Sequence, residues 1–322
     1  MFLGVAALVL LACVLFWLWA IAPQVAGRPD FTELKKYDYA HRGLHHKENG
    51  VPENSLLAFR LAADCGFGME LDLQLTKDNR VVVHHDHSIV RTCGVDKLIS
   101  DMTYEELKGY RLFGTEERIP LFAEVLALVK GKTPLIVELK GYNDVNTLCI
   151  LAMEELKNYE GLYCVESFDP RIVRWFRQNH PGIIRGQLME HLQRGKNGMS
   201  GAQAFFGRNL MTNFLTRPNF EAYDFNWRNN ISLRAARRVF GMQEVSWTLR
   251  SEEAFRLAKS AGNLCIFEHI LPVKAEEWKE RSFEELLKNR KAVALAELKT
   301  ATAPKAVSYT HLRAHETSLH LV

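Results

Sequence analysis

Between Tyr37 and Pro272, short apolar runs of strand length alternate with stretches of helical periodicity, and this alternation restricts the chain to a βαβ architecture. Strands are expected at 37–42, 68–75, 134–140, 162–168, 183–188, 222–227, 244–249 and 264–268. Eight strands over about 235 residues predict one α/β domain, a (β/α)8 TIM barrel. Helix signals fall between them. Thr103-x-x-Glu106 fits a capping box, Ser55–Asp64 is apolar on one face and stops near Gly66, and Pro120 opens an apolar helix closed by Gly131.

One segment breaks the pattern. Residues 80–86 (RVVVHHD) follow the second strand after only Thr76-Lys77-Asp78-Asn79. A parallel crossover needs a dozen residues or more, so the two segments should pair as an antiparallel hairpin, with Asn79 available for a left-handed turn position. Such a hairpin rises above the barrel mouth and returns His84–Asp86 towards it.

Residues 1–22 carry no charged side chain and are long enough to cross a bilayer as one helix. Trp17 and Trp19 suit a membrane interface. The run lacks the positive n-region and short apolar core of a cleaved signal peptide, so a single-pass anchor in the cell membrane is expected. Arg28, Lys35 and Lys36 follow the span and no Lys or Arg precedes it, which places the catalytic domain in the cytoplasm. A linker at 23–36 then leads into the barrel domain at 37–272. A charged helical extension is expected at 273–306. Residues 307–322 resemble a translated adapter sequence and are set aside, with His311, His315 and His320 rejected as a metal site.

A formal charge of +3 without a basic stripe argues against a nucleic-acid partner. The six cysteines form no CxxC pair and read as reduced thiols, consistent with a cytoplasmic face.

Six of the twelve histidines lie between His41 and His87, among His41-Arg42-Gly43, Pro52-Glu53-Asn54-Ser55, Glu70-Leu71-Asp72 and His85-Asp86; Glu138-Leu139-Lys140 comes later. Residues i and i+2 of a strand share a face, so Glu70 pairs with Asp72 and Glu138 with Lys140. At C-terminal strand ends of a barrel, three carboxylates converge. Their repulsion is relieved by a divalent cation, and oxygen-only ligands point to Mg²⁺ or Ca²⁺. With Arg42 and Lys140 added, the pocket suits a phosphate. His41 and His85 can supply the base and the acid for P–O cleavage.

In order and spacing, HRG, PENS, ELD, HD and ELK, continued by Ser167-Phe168 and Ser246-Trp247-Thr248, resemble the glycerophosphodiester phosphodiesterase family over about residues 37–272. The resemblance implies a metal held by Glu70, Asp72 and Glu138, with His41 and His85 as acid–base pair. Arg42 and Lys140 would bind phosphate oxygens, Glu53 would support the metal or the glycerol, and Trp247 and Phe168 would cover the glycerol carbons. It further implies attack by a glycerol hydroxyl through a cyclic phosphate, yielding glycerol 3-phosphate and an alcohol. Three departures bear on substrate choice: Glu268-His269-Ile270-Leu271-Pro272 in place of a TD-x-P-like ending, His84 where the family has an aromatic, and a longer gap from Gly43 to Pro52 carrying His45 and His46.

Other readings stand beside these. The carboxylates can form structural ion pairs with Arg42 and Lys140, Glu53 can cap the following helix, and Trp247 can be core. A lysophospholipase D acting on membrane lysolipids is the neighbouring activity, with Phe205-Phe206 in segment 190–214 helping to build an apolar groove. A membrane-tethered phosphodiester-binding protein without turnover is the alternative of a different class.

Overall fold

The computed structural model describes residues 2–142, 144–195 and 200–272; the expected extension at 273–306 and the tail at 307–322 lie outside the described residues. The strands are β1 (Tyr39–Ala40), β2 (Gly68–Leu75), β3 (Val81–Val83), β4 (Leu135–Leu139), β5 (Tyr163–Ser167), β6 (Arg185–Met189), β7 (Phe220–Asp224), β8 (Gln243–Leu249) and β9 (Leu264–Phe267). All but β3 run parallel and close into an eight-stranded barrel, β1 pairing with both β2 and β9. The expected TIM barrel is thus present.

Three strands differ from expectation by two residues or more, β6 starting at Arg185 rather than 183 because the Ile183 amide turns back to the His180 carbonyl. β1 keeps only two paired residues, because the chain turns left-handed at Arg42 (φ 56°), two residues beyond it. β7 begins and ends earlier than 222–227: the Asp224 side chain accepts from the Asn226 amide and turns Phe225–Trp227 into a 3₁₀ segment.

Strand alternation sorts the side chains. Met69, Leu71, Leu73, Val137, Leu139 and Val165 pack outward against the helices, with Leu57, Leu61, Val125 and Leu148. The opposite face fills the barrel with Ile136, Cys164, Phe220, Ala222 and Val245, above Tyr39 and Leu34. Gly68 and Gly186 make room for the two large rings. A Cβ at Gly186 would lie 2.0 Å from the Phe220 ring, and one at Gly68 2.6 Å from Tyr39. Each fully buried ring of this kind contributes about 1.5–3 kcal/mol.

The β2–β3 pair forms the expected antiparallel hairpin, with Leu73 opposite Val83 and Asn79 left-handed at φ 57°. Past β3, the His84 amide donates to the Asp72 carbonyl at 2.9 Å, holding the returning strand at the level of the site. Residues 89–119 then build a satellite core of Ile89, Ile99, Met102, Leu107, Leu112 and Ile119 around Val82. Thr103 and Glu106 form the expected capping box there.

The N-terminal helix Phe2–Ile21 is apolar and long enough to cross a membrane. Its last turn docks on the barrel, with Ala20 and Ile21 buried. Its terminal carbonyls, which lack partners within the helix, accept from side chains: Arg217 donates to Trp19 (2.9 Å) and Ala22 (2.8 Å), and Asn213 to Ile21 (3.2 Å). The segment expected as a linker also packs on the barrel. The Gln24 amide donates to the Pro218 carbonyl, and Leu34 is buried under the floor, where its carbonyl accepts from the Tyr39 hydroxyl at 2.9 Å.

Candidate active site

Each sequence motif has a local job. The His41 amide extends the β1–β9 ladder by donating to the Phe267 carbonyl. The left-handed turn at Arg42 then aims its amide at Glu70 Oε2, 3.1 Å away. Gly43 must be glycine, since its φ is 79° and a Cβ would meet the Ala58 backbone at 2.9 Å. That approach locks the HRG segment onto the helix Leu56–Asp64. Ser55 caps this helix by accepting from the Ala58 amide. Asn54, left-handed at φ 52°, donates its side chain to Asp72 Oδ2 at 2.8 Å.

Glu70, Asp72 and Glu138 meet at the C-terminal ends of β2 and β4, offering oxygens all within 4.8 Å of one another. Lys140 reaches back between them, its Nζ 2.7 Å from Asp72 Oδ1 and 2.7 Å from Glu138 Oε1. Arg42 lies on the other side, with Nε 3.5 Å from Asp72 Oδ2. Glu53 stands outside the trio; its carboxylate is held by Arg42 at 2.7 Å and by both terminal nitrogens of Arg91 at 2.7 Å.

The electrostatics record the crowding. Burial, then the charges of Asp72 and Glu138, push Glu70 well above the ordinary carboxylate range. Burial raises Glu138 to about 7, against the pull of Lys140. Asp72 is buried too, but Lys140, His85 and Arg42 outweigh that and hold it well below its usual value. Glu53 is lowered to about 2, its burial overcome by Arg91 and Arg42. Among the described residues, Glu70 Oε1 is buried without a hydrogen-bond partner. An orphaned carboxylate oxygen in an all-oxygen donor set, at a site with surplus negative charge, fits a hard divalent cation.

The histidines flank this cluster. His41 Nδ1 faces Glu268 Oε2 at 3.7 Å and its Nε2 faces Glu70 Oε2 at 3.8 Å. Burial, then the neighbouring Arg42, lowers His41 to about 4, so the imidazole is neutral near pH 7. His85 hydrogen-bonds Asp86 Oδ1 through Nδ1 at 2.7 Å, and Arg91 pairs with the same Asp86. His41, Arg42, Glu70, His85, Glu138 and Lys140 all line one cleft of ≈ 470 Å³. Phe168 and Trp247 form part of its wall, edge to face at 5.7 Å.

Several residues here were not singled out from the sequence. Glu166 on β5 sits in register beside Glu138 and lines the cleft, driven well above its usual pKa by burial and by Glu138. The i+2 rule would have found it, since 164, 166 and 168 share a face. Glu268 and His45 were seen only as departures. They meet at 3.1 Å, and Arg250 donates to the same carboxylate at 2.7 Å. Asn54 entered only as part of the PENS motif, without a role of its own, and Arg91 carried no signal.

Residues 41–269 match the Glycerophosphoryl diester phosphodiesterase family. A glycerophosphodiester phosphodiesterase of Caldanaerobacter subterraneus subsp. tengcongensis is 34% identical over 171 residues, covering 49% of this chain and 68% of that protein. Lysophospholipase D GDPD1 of Rattus norvegicus is 34% identical over 143 residues, 40% of this chain and 45% of that one. A phosphodiesterase of Oleispira antarctica solved with its product sn-glycerol-3-phosphate superposes with TM-score 0.59 at 20% identity, covering 72% of this chain and 92% of that one, a likeness of fold.

Proposed function

The chain belongs to the glycerophosphoryl diester phosphodiesterase family and is a phosphodiester hydrolase, and we propose that it cleaves glycerophosphodiesters to glycerol 3-phosphate and an alcohol using His41 and His85. The observation that carries this is the convergence of Glu70, Asp72 and Glu138 with both histidines in one cleft.

Neutral His41, with Nδ1 turned to Glu268, accepts the proton of the glycerol hydroxyl next to the phosphate. That oxygen attacks phosphorus, the bond to the alcohol breaks, and His85, entering as the imidazolium that Asp72 and Asp86 favour against its burial, protonates the departing oxygen. Water then opens the cyclic phosphate with the proton roles reversed. Arg42 and Lys140 offset charge on the phosphate oxygens, and Phe168 and Trp247 cover the carbon chain. Glu70, Asp72 and Glu138 would hold Mg²⁺ or Ca²⁺, which when bound stabilises negative charge on the phosphoryl group. Glu53 acts through Arg42, which it fixes. The helix Phe2–Ile21 anchors the enzyme as a single pass in the cell membrane with the barrel in the cytoplasm.

A second reading, lysophospholipase D action, is favoured by the relative of that name and by the exposed Phe205 and Phe206. The full chain in nanodiscs is assayed for release of glycerol 3-phosphate from glycerophosphocholine and of lysophosphatidic acid from lysophosphatidylcholine, with Mg²⁺, Ca²⁺ or EDTA, beside His41→Ala. Metal-dependent release lost in His41→Ala is expected. No release from a folded, metal-binding protein would leave only a binding role.

A further inference from the structure

The N-terminal helix leaves the barrel on its catalytic side. Trp17 donates to Ser232 at 3.1 Å, in the first turn of the helix Ile231–Phe240 that follows β7 at the catalytic end. Further along, Gln24 bonds to Pro218, just before β7, and accepts from Arg185 at the start of β6. Arg28 reaches the Gly241 carbonyl, at the far end of the helix Ile231–Phe240. The chain from Trp17 to Arg28 therefore descends from the catalytic end to the opposite end. Residues 2–16, all exposed, continue the other way, past the catalytic end. At 1.5 Å per residue they rise about 22 Å, most of a hydrocarbon core.

The barrel surface around that exit is dressed for the same environment. Phe205, Phe206, Trp227 and Ile231 are 48%, 46%, 46% and 70% exposed. All four lie on segments that follow β6 or β7 at the catalytic end. The parts of these segments nearest that end, 200–211 and 225–236, contain Arg208, Arg228 and Arg234 and no Asp or Glu. Aromatic and basic side chains without acidic ones suit a headgroup layer bearing phosphates. This surface also backs the cleft. Leu192 lines the cleft, and Gly207, on the helix carrying Phe205 and Phe206, approaches so closely that a Cβ would lie 2.8 Å from Leu192.

We propose that the catalytic end of the barrel lies on the bilayer, with Phe205, Phe206, Trp227 and Ile231 in the lipid–water interface and Arg208, Arg228 and Arg234 at lipid phosphates. The mouth of the cleft then lies beside the lipid surface, with the Leu188–Leu192 wall backed by the helix that carries Phe205 and Phe206, and substrate arrives along the membrane surface. This deepens the function above and rests on the helix being an anchor.

The test uses the full chain in nanodiscs of phosphatidylcholine and phosphatidylglycerol, with p-benzoylphenylalanine in place of Phe206, Ile231 or, at the opposite end before β5, the exposed Glu160. Irradiation should give lipid adducts at 206 and 231 and none at 160. Absence of adducts at 206 and 231, equal adducts at 160, or adducts to a second copy of the chain instead of lipid would overturn the proposal. Retention after an alkaline carbonate wash reads the anchor separately: a retained protein without adducts sinks only the orientation, and a released one sinks the anchor as well. As a second arm, Ile231→Glu with Arg234→Glu should lower turnover of vesicle-borne lysophospholipid about tenfold or more while soluble glycerophosphocholine turnover holds. An equal fall for both substrates would count against it, and no activity on either would reflect on the hydrolase reading, leaving the adducts to decide the surface.

Discussion

Lys140→Met tests whether the site is a balanced charge cluster. Lys140 is 5% exposed, and its Nζ sits 2.7 Å from both Asp72 and Glu138. Methionine keeps most of the stem and removes the charge, leaving buried carboxylates without their compensating cation. Breaking a buried pair in this way costs about 3–5 kcal/mol. For a barrel of this size each kcal/mol moves Tm by about 2–4 °C, so a fall of roughly 6–20 °C is expected in EDTA. A divalent cation adds about 2.7 kcal/mol at 100 times its Kd, and it should add more to the variant, whose site is the more negative. Thermal unfolding by circular dichroism in detergent, near neutral pH, with EDTA, Mg²⁺ or Ca²⁺, measures both effects. A variant within ~2 °C of wild type in EDTA, or a metal increment no larger than that of wild type, would refute the reasoning.

Glu268→Gln should lower kcat roughly tenfold or more with little change in KM, while Glu268→Asp retains most activity. Because the Glu268 charge favours imidazolium at His41, its loss should move the acid limb of the kcat/KM profile to lower pH. The Glu53 carboxyl is held at about 2, so its contribution is complete above the ordinary carboxylate value and lost as pH falls towards 2. Arg91→Met weakens that hold, so the variant should acid-unfold at higher pH than wild type, the two converging at the acid extreme. Gly186→Ala places a Cβ 2.0 Å from Phe220 and should cost at least about 1–3 kcal/mol by thermal unfolding, partly restored by Phe220→Leu.

The barrel was legible because its signal is redundant: eight strands separated by seven helical stretches repeat the same alternation. Strand ends were less legible, since local side chains decide them. Asp224 turns the chain three residues before the expected end of β7, and Arg42 leaves the ladder as its amide turns to Glu70. The hairpin was readable from loop length alone, and the bond from His84 to the Asp72 carbonyl shows why it matters. Register carries the residue next to His85 down to the level of the carboxylates.

What no reading along the chain could supply was the part that depends on ring closure. His45 lies in the long loop after β1, and Glu268 follows β9, the last strand of the barrel. Taken singly, each is a departure from a family pattern. Together they form one feature, because β9 pairs with β1 and brings Glu268 between His41 and His45. Arg250 adds a third contact, and these partners hold Glu268 well below the usual carboxylate range although burial opposes it. A loop residue and a strand-end residue that each look anomalous in sequence can therefore compensate one another across a barrel seam. On its other side β1 pairs with its sequence neighbour β2, which brings His41 to Glu70, so one short strand joins the seam to the carboxylates. Motifs read along the chain identify the chemistry, and the seam determines which neighbour orients it.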